Sequence, residues 1–221
     1  MLKKIIQLTF AILFLPACFS FGLIFYEELS ALNMLSGDYV YFFFGCISYL
    51  IFHTIIFKPD RVYVFGHEMM HAVAAILSGG KVGSIKVSKK GGSVTTNKSS
   101  TLISLAPYFF PFYTLLVIII YFILLSIGKE GPAFTKPFMF IVGFTLIFHI
   151  VLTIDVLKIK QTDLLGTGYF VSLELIYLVN LVFITFIFSL LFKEINFMSF
   201  MENAFIRSRE NYISIFHQLF L

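Results

Sequence analysis

Gly66-His67-Glu68-Met69-Met70-His71 is the stretch on which the reading of this chain turns: a His-Glu-x-x-His pentad inside a run, Val62 to Leu77, that has no other charged residue. On a helix, residues four apart share a face with side chains roughly 5–6 Å apart, so His67 and His71 are able to aim two imidazole nitrogens at one cation. Glu68 stands about a hundred degrees round the same turn, outside the ligand set but beside a water that the cation would hold. Zinc brings the pKa of such a water from 15.7 to about 7, and a neighbouring carboxylate then serves as general base for amide hydrolysis. The competing reading is a buried polar cluster that binds no metal. Against it stands the cost of ionisable side chains in an apolar helix, about 2.5–3.5 kcal/mol for Asp, Lys or Arg at mid-bilayer.

Working outward, the chain of 221 residues is 59% hydrophobic and 13% charged, with 30 Phe and a mean hydropathy of +0.94. A soluble domain carries about 25% charged residues. The composition therefore implies an integral, multi-pass membrane protein, and the length suits one domain over 1–221 without a separate soluble module. The formal net charge of +4 is modest, and its Lys and Arg lie mostly at the ends of apolar runs. They mark topology, and no nucleic-acid binding is expected. Cys18 and Cys46 fall in different apolar runs and suggest no disulfide. Leu15-Pro16-Ala17-Cys18 has some likeness to a lipoprotein processing box, but the apolar run continues to Phe25, which favours an uncleaved first span.

The expected architecture is an all-α membrane bundle of about five to six transmembrane helices, with the pentad helix followed by a short membrane-associated β-hairpin. Spans are expected over Ile5 to Phe25 and over Tyr39 to Phe57, the latter closed by Lys58-Pro59-Asp60-Arg61. The pentad helix, Val62 to Ser78, ends at Gly79-Gly80. Alternation from Lys81 to Lys98, broken at Gly91-Gly92, predicts the hairpin, with a basic loop as the other possibility. The next span, Leu102 to Ile127, should be kinked near its start by Pro107 and Pro111. Phe138 to Leu157 and Leu164 to Phe192 complete the set, and 193–221 reads as an amphipathic tail lying at the membrane interface. A pentad helix that enters and leaves by one side would put eleven of the sixteen Lys and Arg on the cytoplasmic face, Lys90 and Lys160 among them.

Two histidines do not complete a catalytic zinc site, which needs three protein ligands and one open position. Asp155, Asp163, His149 and Glu174 are the candidates. Asp155 has an alternative partner in Lys158, three residues on. Asp163 precedes Leu164-Leu165-Gly166-Thr167-Gly168, where glycines allow close backbone approach. Asp163 is therefore preferred, with Asp155 second. His53, alone in its apolar run, is expected to be a hydrogen-bonded core residue.

The pentad in a membrane setting, the Gly-Gly and basic strand-like segment after it, and a late Asp beside glycine resemble the site-2 protease family of intramembrane zinc metalloproteases. The resemblance spans roughly Val62 to Asn180, with a metalloprotease core of about 62–192. It implies Zn2+ held by His67, His71 and Asp163, Glu68 as the catalytic base, and a hairpin that presents an extended substrate strand. The implied function is hydrolysis of peptide bonds in or near transmembrane segments of membrane-protein substrates, in a bacterial cytoplasmic membrane. The alternative is a non-proteolytic multi-pass protein, a zinc-dependent scaffold or cation transporter with a degenerate site. A transporter would more often show matched halves, and the sequence shows no internal repeat. The oligomeric state is not legible.

Overall fold

The computed structural model describes residues 2–88, 91–159 and 161–221. Lys90 and Lys160, the two cytoplasmic markers of the charge count, lie outside the described residues. Among the described residues the elements are helices α1 (Leu2–Ser30), α2 (Tyr39–Ile51), α3 (Asp60–Leu77), α4 (Thr101–Phe109), α5 (Phe112–Ser126), α6 (Pro132–Leu157), α7 (Tyr169–Leu191) and α8 (Phe197–Phe220) and a hairpin, β1 (Val82–Ser88) and β2 (Gly91–Thr96). Among the described residues, four helices are long and apolar enough to cross a membrane, and a fifth crossing is made if α4 and α5 count as one bent span. The protein is an integral, multi-pass membrane protein. The count meets the lower end of the expected five to six because α3, which carries the pentad, is not among those helices.

The chain divides into two units, residues 34–163 and residues 1–33 with 164–221. The first holds α2 to α6 and the hairpin. Its α2 and α6 approach backbone to backbone: a Cβ at Gly45 would strike the Phe140 carbonyl, and one at Gly143 the Phe42 carbonyl. In lipid, where no hydrophobic force drives helices together, such close contact is what small residues at an interface provide. Tyr49, Tyr63, Phe148 and Leu152 fill the space between α2, α3 and α6. The last turn before Phe57 widens into a π-helix over Phe52–Ile56.

Asp60 opens α3, where its carboxylate faces the positive end of the helix. At the other end Gly80 N–H donates to the Ala75 carbonyl and Gly79 N–H to that of Ile76, with Gly79 at φ +72°. This is the glycine-terminated helix stop that the sequence implied. Lys98 Nζ then reaches the Ser78 carbonyl at 2.8 Å, and the Lys81 N–H donates to Asn97 Oδ1 at 2.6 Å. These bonds fasten the hairpin base to the end of the pentad helix. β1 and β2 pair antiparallel, Ile85 opposite Val94 and Val87 opposite Gly92.

α4 and α5 meet at a 72° bend. The break falls at Phe110-Pro111, whereas Pro107 sits inside α4 without ending it. α6 begins at Pro132, earlier than Phe138, because Pro132 occupies the first helical turn where its missing N–H costs nothing.

In the second unit α1 packs on α7 and α8. Phe21, Ile24, Leu181, Phe200 and Ala204 form its core. Gln7 donates to the Thr167 carbonyl at 2.9 Å. α8 runs antiparallel along α1: Arg207 lies 3.9 Å from Glu27, Asn211 donates to Ser20, and Tyr212 donates to the Leu13 carbonyl.

Candidate functional site

His67 and His71 project from one face of α3, their rings edge to face with centroids 4.9 Å apart. The chain returns to them after α6, where a short 3-10 turn, Thr162–Leu164, carries Asp163. Asp163 Oδ2 lies 3.7 Å from His67 Nε2 and 3.7 Å from His71 Nε2. Among the described residues these three are the group whose ligand atoms converge, all within 4.8 Å of one another. Burial pushes the Asp163 carboxyl up, but hydrogen bonding to His67, to His71 and to Tyr108 outweighs it and holds the group below the ordinary carboxylate range.

Two partners in this cluster, His71 and Asp163, are held by something local. His71 Nδ1 donates to the Ile103 carbonyl at 2.8 Å, which fixes the ring orientation and turns Nε2 toward Asp163. That carbonyl is available for a covalent reason. The N–H that would take it in an α-helix belongs to residue 107, and residue 107 is Pro. Pro107 therefore does not kink α4; it vacates an acceptor for His71. Tyr108, the next residue, is fully buried and donates its hydroxyl to Asp163 Oδ2 at 3.0 Å. Sequence reading missed Tyr108, since a tyrosine in an apolar run carries no signal of its own. The one available hint was Pro107-Tyr108 on the helix after the hairpin.

Glu68 is 5% exposed and lies under β2. A Cβ at Gly92 would meet Glu68 Cγ at 2.5 Å and Oε1 at 2.6 Å, so any other residue there would have to push the Glu68 carboxylate aside. The three ligating candidates and Glu68 line one open cavity of about 740 Å³, to which β2 contributes Gly92, Val94 and Thr96.

The other candidates for a third ligand stand elsewhere. Asp155 accepts from Lys58 Nζ at 2.6 Å and Lys158 Nζ at 2.8 Å, with His53 Nε2 at 3.6 Å. His53 also bonds the Tyr49 hydroxyl at 3.1 Å, as a satisfied core histidine does. His149 is buried and lines, with His67, a separate space of about 10 Å³, and it is not among the residues that line the cavity of Glu68. Glu174 belongs to the other unit. The glycines after Asp163 serve a different end from the one expected. Gly168 has φ +103°, and a Cβ there would strike the Gln7 side chain, so it shapes the start of α7 against α1.

The arrangement offers two imidazole nitrogens and one carboxylate to a cation, with a second carboxylate beside them facing open space. No curated protein and no solved structure matches the chain. The sequence pattern described as Peptidase M50B-like matches residues 39–196, which takes in both pentad histidines, Glu68, the hairpin and Asp163, and the chain belongs to that family.

Proposed function

We propose that the protein is an intramembrane zinc metallopeptidase that hydrolyses peptide bonds in or near transmembrane segments of membrane-protein substrates. The observation that carries this is the convergence of His67, His71 and Asp163 on one point beside Glu68. Two imidazoles and a carboxylate form the donor set of a catalytic zinc with one position open. Their separations of 3.7 Å compare with roughly 3.3 Å between ligands of a tetrahedral zinc at about 2.0 Å bond lengths. His67, His71 and Asp163 would hold the ion, and Tyr108 and the Ile103 carbonyl would orient two of them.

Bound there, zinc would polarise a scissile carbonyl and acidify the attacking water. Glu68 takes that proton and delivers it to the leaving amine, its carboxylate held by the passage of β2 at Gly92. An extended substrate segment pairs along β2, the strand that lines the cavity, which brings one amide to Glu68. The setting we assign is a bacterial cytoplasmic membrane, with 1–221 as a single polytopic domain and Lys58, Arg61 and the hairpin lysines on the cytoplasmic side.

The test is purification in detergent with a set of single-pass helices as substrates. Wild type should hold about one zinc per chain and cleave; Glu68→Gln should keep the zinc and lose cleavage by about 10²–10⁴-fold. Zinc retained by the His67→Ala/His71→Ala double variant would reject the metal site. Cleavage by Glu68→Gln at the wild-type rate would reject the base.

A further inference from the structure

One face of α8 is left exposed, and its residues are arranged about a centre. Phe200, Ala204 and Ser208 turn toward α1 and α7 and are buried. Around the rest of the helix, at helical spacing, Met198, Glu202, Phe205, Ile206, Arg209 and Ile213 are exposed, the apolar members by 72% at Met198, 60% at Phe205, 48% at Ile206 and 45% at Ile213, with Phe205 at the margin, its ring edge to face with Phe21 of α1 at 5.6 Å. Positions 198, 202, 205, 206, 209 and 213 fall within about a hundred degrees of the helix circumference.

The order of chemistry along this face is apolar, acidic, apolar, apolar, basic, apolar. Met198 and Ile213, Glu202 and Arg209, and Phe205 and Ile206 are each equidistant from the midpoint between residues 205 and 206. A second α8 laid antiparallel across that midpoint would therefore meet Glu202 with Arg209, Arg209 with Glu202, and apolar with apolar throughout. This is the self-complementarity that a twofold contact between identical subunits requires. A parallel arrangement would set Glu202 against Glu202 and Arg209 against Arg209.

Placement makes the pairing consequential. α8 lies along α1, and Asn211, two residues beyond Arg209, bonds Ser20 near the middle of the apolar helix segment Ile5–Ser30. Arg209, close to that level, is costly against lipid and is satisfied by a partner of opposite charge, whereas Glu202 lies beyond Arg207, toward the Glu27 end of α1. We infer that the exposed face of α8 is a homodimer interface, formed with α8 of a second copy of this chain in antiparallel register about residues 205 and 206, with two Glu202–Arg209 ion pairs. The inference is independent of the peptidase reading, since it uses none of the residues of the metal cluster.

The experiment uses the full-length chain in lipid nanodiscs or cell membranes, on a background with Cys18 and Cys46 replaced by Ser. A single cysteine at position 206, next to the twofold axis, should give a disulfide-linked dimer on mild oxidation. One at position 198 should not, because the two copies of that residue would lie roughly 22 Å apart. Cross-linking at 198 in place of 206 would overturn the antiparallel register. Glu202→Arg and Arg209→Glu should each weaken dimerisation at least about tenfold, and the double reversal should restore it to within about threefold. Equal behaviour of single and double reversals would overturn the ion pairs. A monomer at all concentrations, with bromolipid quenching of a probe at position 206, would overturn the interface and return α8 to a lipid-facing surface helix.

Discussion

Two aspartates eight residues apart, Asp155 and Asp163, end up in opposite surroundings. Asp155, on the last turn of α6, is clasped by the ammonium groups of Lys58 and Lys158. Asp163, past the end of that helix, faces His67, His71 and the hydroxyl of Tyr108. The first carboxylate has its countercharge supplied by the chain. The second faces two imidazoles, each able to give up a proton and ligate a metal, and one hydroxyl donor. The difference is that a lysine ammonium closes a site, while an imidazole with a free lone pair leaves it open to a metal.

Exchanging the roles of the two is the sharpest way to break this contrast. Asp163→Asn should lower zinc affinity by more than about 100-fold, beyond what loss of a supporting residue costs, and abolish cleavage; metal analysis of the dialysed protein reads the first and a peptide assay the second. Zinc held normally by that variant, with Asp155→Asn now metal-free, would reverse the assignment. A middle-sized effect belongs to Tyr108→Phe, which removes a hydrogen bond to Asp163 while keeping the buried ring. It should weaken zinc binding about 10–100-fold, measured by competition with a chelating dye, and leave the melting temperature nearly unchanged. The smallest effect is that of Lys58→Met. The Lys58 side chain is 54% exposed, and pairs of this kind contribute about 1 kcal/mol or less. Thermal unfolding should shift slightly, and zinc content should stay at the wild-type level.

How much of this was legible from the residues follows the range over which each interaction acts. The pentad helix and its Gly79-Gly80 stop depend on neighbours within a few positions, and they stand where the spacing put them. So does the pairing of Asp155 with Lys158, three residues apart. Lys58, which meets Asp155 across 97 positions, was invisible for that reason. The sequence favours Asp163 over Asp155 for the glycines that follow it, yet Gly168 fits α7 to Gln7 and Gly166 has open space beside it. What keeps Asp155 engaged elsewhere is Lys58 as well as Lys158. Pro107 shows the opposite case: its position in the sequence implies a kink, and α4 continues through it. A proline removes a donor and also frees an acceptor four residues earlier, and the second consequence mattered here because His71 was within reach of Ile103.

The bend between α4 and α5 has a consequence for the bilayer itself. After the break at Pro111 only 15 residues remain in α5, a rise of about 22 Å against a hydrocarbon thickness of about 30 Å. A helix this short creates hydrophobic mismatch, which lipid relieves by thinning around it. If α5 crosses alone, the membrane beside this unit would be shallower than elsewhere, and on the proposed peptidase reading water and headgroups would stand closer to the depth at which a substrate helix is unwound, giving its freed backbone groups solvent nearby.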